Sequence, residues 1–285
     1  MSELFAVPRI EAFDALVPPD TKVAFHGVNK SGSLSMATTI RDAYAATGRS
    51  GEFFGHYFMS GMPLADYLRA VDALQGHRFL VAHYLYGSLP PRPGRVLVTQ
   101  FRHPLPRLLS CYNWLKRKHE ARKEPKAFPS IEQWATETRG RRYSQVMQFG
   151  VGFAPDFQDR MERMTARDLY ENALDAIKRD VFCFGIAERF EESIFLFAAL
   201  CRLPHVAPWV RDRRNPGRLH SSEVAPDTRA VLEDVFRYDF ELYDRMVAVF
   251  DRRIAGLDLG PDLARYKRAC ESQYNDRILS SRATV

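Results

Sequence analysis

The chain predicts an α/β protein on a doubly wound, mainly parallel sheet, and three observations carry that reading. Four short runs, Lys22–Phe25, Phe79–Ala82, Arg95–Gln100 and Val181–Gly185, are rich in Val, Phe, Leu and Ile without polar alternation. Strands covered on both faces have this pattern. Between the runs lie stretches with apolar residues at helical spacing, so strands alternate with helices as in βαβ units. From about Asp227 the pattern is helical only.

The elements follow in order. After Lys22–Phe25 comes a helix over Leu34–Ala46, then one over Pro63–Leu74 leading to the strand Phe79–Ala82. Arg95–Gln100 is followed by a helix over Pro104–Lys118, and a helix over Ala166–Lys178 precedes Val181–Gly185. Glu188–Cys201 reads as the next helix, its Phe195, Phe197 and Leu200 as core packing, with Leu203 just beyond. Asp227–Ile254 and Pro261–Gln273 make a helical C-terminal part. Two polar, basic stretches read as loops or lids: Lys116–Pro129, with Arg139–Arg142 soon after, and Arg211–Ser222. Residues 1–285 then form a single domain, with its core over 22–201, helices on both faces and a helical extension over about 227–285.

A chain of 285 residues with 46% hydrophobic and 27% charged side chains buries a sizeable core without staples. The 41 Lys and Arg against 35 Asp and Glu leave a net charge of +6, favouring anionic partners: nucleotides, sulfated glycans, acidic peptides or nucleic acid. The excess is spread along the chain, as a solvated surface also is. Cys111, Cys183, Cys201 and Cys270 are widely spaced, without CxxC, and read as buried thiols. Residues 1–19 lack the basic and apolar regions of a signal peptide, and the longest apolar runs, such as Ile194–Cys201, are too short to span a bilayer. The expectation is a soluble, cytoplasmic protein.

Val23–Phe25, His26, Gly27 and then Val28-Asn29-Lys30-Ser31-Gly32-Ser33-Leu34-Ser35 read as strand, tight loop and helix start. Such a loop aims backbone N–H groups, the helix dipole and one lysine at a phosphate. Ser31, Ser33 and Ser35 add hydroxyls, and Gly32 admits an anion close to the backbone. The loop is P-loop-like without being a Walker A loop, because Lys30 precedes the glycine. The same residues also suit a plain Ser/Gly-rich turn. Further on, Val96–Arg102 ends a strand in Arg102, Pro104 starts a helix where its missing N–H costs nothing, and Ser110 follows two turns later. Arg102 and Ser110 can grip one phosphate, with Arg107 one turn before Ser110 as a helper.

Lys30-Ser31-Gly32-Ser33 together with Arg102-His103-Pro104 and Ser110-Cys111-Tyr112 resembles the sulfotransferases that use 3′-phosphoadenosine 5′-phosphosulfate (PAPS). In that resemblance the first motif is the 5′-phosphosulfate loop, and Arg102 with Ser110 is the 3′-phosphate motif. A third echo, Phe184–Ser193, is similar to the strand and helix that close many of these enzymes; the three span about residues 22–201. Asn29 stands where Pro is usual, Leu34 where a second hydroxyl is, and His103 where Asp or Asn is common. The resemblance implies sulfuryl transfer from PAPS to an acceptor hydroxyl by in-line displacement, leaving 3′-phosphoadenosine 5′-phosphate (PAP), with no metal. Lys30, Ser31, Gly32, Ser33, Leu34, Ser35, Arg102 and Ser110 would hold the cofactor. Arg213, Arg214 and Arg218, in a stretch similar to the family's basic 3′-phosphate loop, would join them.

Transfer needs a base for the acceptor proton and positive charge where the leaving phosphate develops its own. Lys30 suits the second task. For the first, the apolar strand Phe79–Ala82 delivers His83 to its C-terminal end, where ligands bind in open α/β sheets. The likeness to the glycan 2-O-sulfotransferase branch makes His83 the candidate base; a histidine merely capping a strand is the alternative. His56, His77 and Glu52 are rivals. Tyr143–Gly150 resembles a segment that lines the acceptor cleft, and Arg139, Arg141 and Arg142 form a basic turn able to meet an acidic acceptor.

Two other functions compete. A P-loop-type nucleotide kinase shares the fold class but requires Gly-Lys-Ser/Thr and an acidic strand end. A non-catalytic nucleic-acid-binding module would place basic residues on one helical face with aromatics between them, and Lys116-Arg117-Lys118 with Trp114 comes nearest. The expected partner is an acceptor hydroxyl compound (an anionic glycan, a peptide or a small molecule), with no nucleic acid and no membrane span. Oligomeric state leaves no signal in the sequence.

Overall fold

The computed structural model describes residues 4–55, 66, 69, 73–74, 76–82, 93–137, 142–152, 157–209 and 221–282. Among them the chain is α/β, as expected. Five parallel strands, β2 (Lys22–His26), β3 (Phe53–Gly55), β4 (Phe79–Ala82), β5 (Arg95–Phe101) and β6 (Val181–Ile186), form one sheet in the order β3-β4-β2-β5-β6. A separate pair joins β1 (Phe5–Ala6) to β7 (His205–Val206) in antiparallel sense. The four expected strands lie within one residue of their expected ends. The sequence pattern missed the edge strand β3, whose three residues are too few for a period to show.

The first strand of the sheet, β2, lies in its middle. The chain moves to one side through β3 and β4, then crosses to β5 and β6 on the other. The C-terminal ends of β2, β4 and β5 therefore border the place where the winding reverses, the usual ligand crevice of an open α/β sheet. In register, His26 lies beside Ala82 on one side and Thr99 on the other, and the Thr99 hydroxyl donates to the His26 carbonyl at 2.8 Å.

Side chains alternate along β2 and show which helices cover each face. Phe25 meets Phe79 and Phe197, the latter on α8 (Phe190–Leu200), which packs with α2 (Ser33–Ala46). Its neighbour His26 turns to the other face, edge-on to Phe149 at 5.3 Å in the short helix α5 (Gln145–Gly150). That second face also holds α7 (Ala166–Asp180) and α10 (Arg237–Ala255), whose Phe250 packs on Phe184. Helix α11 (Asp262–Arg282) returns to the first face, where Tyr266 is fully buried against Phe5 and Phe195. A satellite core forms between α3 (Pro104–Ala121), α4 (Ile131–Thr136) and α9 (Pro226–Val235), around Leu108, Leu109, Trp134 and Leu232.

Four helical expectations change, the simplest being Pro261–Gln273, whose helix runs on as α11 to Arg282. Asp227–Ile254 is two helices, because the backbone at Phe236 (φ −109°, ψ 22°) leaves the helical region between α9 and α10. The basic stretch from Lys116 is not all loop: α3 runs on to Ala121, since Leu115 still packs on the satellite core. Glu188–Cys201 opens with a 3₁₀ turn, Ala187–Arg189, before α8 begins. Helices α1 (Glu11–Leu16) and α6 (Phe157–Arg163), like α4 and α5, are too short to leave a periodic signal. The expected helix Pro63–Leu74 lies mostly outside the described residues. The four cysteines are free and buried, and among the described residues no helix is long and apolar enough to cross a membrane.

Candidate functional site

The site begins where β2 ends. Gly27 to Gly32 form a tight loop, with Lys30 at φ 63° and Gly32 at φ 85°. Lys30 holds a left-handed conformation that costs a residue with a Cβ roughly 1–2 kcal/mol; Gly32 adopts one freely. Gly32 is also the N-cap of α2, and having no side chain it leaves the first-turn N–H groups of this 14-residue helix uncapped. A strand, a tight turn and a helix N-terminus at the reversal of the winding have the geometry with which helix ends can accept an anion.

The loop serines differ from expectation. Ser31 and Ser33 are fully buried; both hydroxyls donate to the Val28 carbonyl, at 2.8 and 3.0 Å, and lie 2.9 Å from each other. In this arrangement they brace the loop from beneath instead of facing outward. Ser35 remains half-buried in the first turn of α2, and its carbonyl accepts the Thr39 hydroxyl at 3.0 Å. Leu34 contributes its backbone position in the same turn.

Under the loop lies a polar side chain that the sequence reading passed over as strand core. Gln100, on β5, is fully buried, and among the described residues neither its amide nitrogen nor its amide oxygen has a hydrogen-bond partner. A Cβ on Gly32 would stand 3.6 Å from that nitrogen. A buried amide left unsatisfied costs about 1–3 kcal/mol, and Gln100 carries that cost beside the start of α2.

Arg102, one residue past β5, joins the loop directly. Its Nη1 donates to the Lys30 carbonyl at 2.9 Å, and its Nε stands 3.9 Å from Glu188. The backbone there is fixed on both sides. Gln145 accepts from the Arg102 N–H at 3.1 Å and donates to the Arg102 carbonyl at 2.9 Å, while Glu188 accepts from the His103 N–H at 3.1 Å and from the Tyr243 hydroxyl at 3.0 Å. Ser110 lies half-buried on α3, which starts at Pro104 with His103 as its N-cap. Lys30 and Arg102 are thus brought together, with Ser110 on the helix beside them.

Arg107 takes no part as a free cation. It is fully buried, donating from Nη2 to Asp239 on α10 at 3.0 Å and from Nη1 to the Asn29 carbonyl at 3.3 Å. Asp239 also accepts from the Ser144 hydroxyl at 2.6 Å and from the N–H groups of Gln145 and Val146, both at 2.9 Å. Gln148 accepts from the Asn29 N–H at 3.2 Å. The expected cleft-lining segment is therefore a buried helix tying the loop, the end of β5 and α10 together. Only Tyr143 and Ser144 of that segment are half-exposed.

Positive charge gathers on the α3 side. The Lys30 Nζ lies 5.2 Å from the centre of the Trp114 ring, and the Lys118 Nζ lies 4.0 Å from it. Cys111, on the same helix face, is pushed up by burial, with Arg107, Lys30 and Arg102 pulling the other way.

His83, His56, Arg139, Arg141, Arg213, Arg214 and Arg218 lie outside the described residues. The strand before His83 ends at Ala82, beside His26 at the crevice. The rival His77 is half-buried, its Nδ1 3.2 Å from the Leu74 carbonyl, before β4 and so at the opposite end of the sheet. Glu52 precedes β3 at that same end and is held below its usual carboxylate range chiefly by the Arg49 guanidinium. Neither of these two reaches the crevice. Arg142 is exposed. Among the described residues no group of His, Cys, Asp and Glu is gathered to hold a metal. No family model matches the chain, and no curated protein matches it.

Proposed function

We propose that this chain is a PAPS-dependent sulfotransferase acting on an acceptor hydroxyl. One observation carries the reading: at the reversal of the sheet's winding, the uncapped end of α2 opens beside Lys30, whose carbonyl is bound by Arg102. Two separate sequence motifs, each expected at one end of an adenosine bisphosphate, thus meet at one crevice. Of the strand ends bordering it, β2 ends in His26, β4 in Ala82, and β5 carries Gln100 with Arg102 just beyond it. A Mg²⁺-dependent kinase would want a carboxylate at such a strand end.

The residues present fit the group. The N–H groups at Ser33, Leu34 and Ser35 and the amide of Gln100 supply donors for the 5′-phosphosulfate, and Arg102 with Ser110 supplies a cation and a hydroxyl for the 3′-phosphate. When bound, PAPS supplies the activated sulfuryl group with its own leaving phosphate. Lys30 neutralises charge growing on the bridging oxygen, which helps only if that help is stronger in the transition state than before it. Ser31 and Ser33, bonded to Val28, keep the loop's shape during the reaction. His83 takes the acceptor proton; the pKa of an ordinary histidine, near ~6.5, suits that work.

The test is calorimetry with PAP and AMP, followed by transfer of labelled sulfate from PAPS to glycan, peptide and small-molecule hydroxyls. A lost charged hydrogen bond costs roughly 1.5–3 kcal/mol, so PAP should bind more than about tenfold tighter than AMP. Equal affinities would sink the reading. Transfer that persists at full rate in His83→Ala would move the base elsewhere.

A further inference from the structure

Helix α3 lies along the loop with one face, and its side chains meet the loop in sequence order. Arg107 bonds the Asn29 carbonyl, and Trp114, two turns later, takes the ammonium of Lys30, the next loop residue. Ser110 stands four positions before Trp114 and Lys118 four positions after it, the spacing that stacks side chains on one helix face. Trp114 is half-buried, so its indole is partly desolvated, where attraction for a cation is strongest. Two like charges, Lys30 and Lys118, share that one ring.

We propose that Trp114 is a positioning residue for Lys30: its indole parks the ammonium at the mouth of the α2 N-terminus, and a phosphate-bearing ligand draws Lys30 off the ring. A charge-assisted hydrogen bond to a phosphate oxygen outweighs a cation–π contact, so the exchange runs toward the anion. The ring holds Lys30 without competing for the final place. Its left-handed backbone adds to this, because the loop fixes where the side chain starts and the ring fixes where it ends. Lys118 stays on the indole and keeps the mouth positive while Lys30 moves. The inference rests on the phosphate-binding half of the proposed function and not on sulfuryl transfer.

Tryptophan emission reads the exchange. Trp134→Phe with Trp209→Phe leaves Trp114 as the only indole, since the sequence holds three tryptophans. In that protein, Lys30→Met should shift the ligand-free emission, and titration with PAP should move the parent emission toward the Lys30→Met spectrum. The Lys30→Met protein should show no further change with PAP, while calorimetry still finds binding weakened about tenfold or more. In the otherwise native chain, Trp114→Phe, which keeps an aromatic face, should retain more turnover than Trp114→Leu, with PAP affinity changed less than about threefold in both. Identical ligand-free spectra for the parent and Lys30→Met would overturn the proposal, as would PAP binding that leaves Trp114 emission unmoved. Should the double Phe background unfold, the same titration is run as a difference between the native chain and Trp114→Phe. Pyrophosphate separates the two readings: if it gives the Lys30-dependent change and PAP does not bind, the parking role stands and the sulfotransferase reading falls.

Discussion

A carboxylate buried to 1% exposure is expensive unless every lone pair is met, and Asp239 shows how that is done. One guanidinium, one hydroxyl and two backbone N–H groups converge on its two oxygens, all within 3.0 Å. The same guanidinium holds Asn29, so this residue of the C-terminal helical part supports the Gly27–Gly32 loop. Asp239→Ala would strand the Arg107 charge and two amides at once. Breaking such a pair costs about 3–5 kcal/mol. Urea unfolding should register that loss, and PAP affinity should fall with it because the Asn29 contact loosens. A loss below about 1 kcal/mol would mean that water replaces the carboxylate at no cost. The pair joins residues 132 positions apart, and no local pattern announces it; in the sequence Arg107 reads as a helper for the phosphate.

Among the elements, α3 does most to arrange the crevice, and its start is chemically unusual. His103 is the N-cap, accepting the Leu105 N–H on Nδ1 at 3.3 Å, with its ring edge-on to Phe240 and Tyr243. That bond needs Nδ1 unprotonated. Burial lowers the His103 pKa, with Glu188 opposing and Asp244 adding to the opposition. With the folded pKa below the unfolded value near ~6.5, the neutral ring stabilises the fold above that value, and the contribution is lost as pH falls toward the folded pKa. A protonated ring would also oppose the positive end of the helix dipole. Melting temperature should therefore drop between pH 7 and 5 more steeply in the native protein than in His103→Asn, which caps without titrating. Parallel curves would show that the cap carries no pH dependence. The start of α3 at Pro104 was legible from proline alone. Helix α5 was not, because Gln145 and Gln148 give it a loop-like polarity while their amides serve the backbone of the crevice.

Across the whole molecule, what the sequence made legible follows from how each feature is encoded. The four longer strands are visible because burial on both faces demands uninterrupted apolar runs. The tight turn between β2 and α2 is visible because a glycine and serines between strand and helix serve local geometry. The inward turn of Ser31 and Ser33, the orphaned amide of Gln100 and the Trp114 platform depend on contacts between distant segments and become visible only in the fold. These long-range contacts divide between the two faces of the sheet. On the face of α5 and α10 they hold the crevice. On the other, α11 closes the core with Tyr266, fully buried between Phe5 and Phe195 at ring distances of 5.5 and 5.2 Å. Its neighbour Asp262 accepts the Ala6 N–H at 2.9 Å, tying the last helix to the first strand. Tyr266→Ala removes a buried aromatic ring and should cost about 3–5 kcal/mol. For a chain of this size each kcal/mol lowers the midpoint by roughly 2–4 °C, so a fall near ~10 °C is expected. PAP affinity, measured well below that midpoint, should stay within about threefold of the native value, because among the described residues the rings packed on Tyr266, Phe5 and Phe195, lie away from the Gly27–Gly32 loop. This separates it from Asp239→Ala, where stability and affinity fall together. If Tyr266→Ala weakened PAP binding as much as stability, the two faces would be mechanically coupled through the sheet, and the division drawn from their contacts would be wrong.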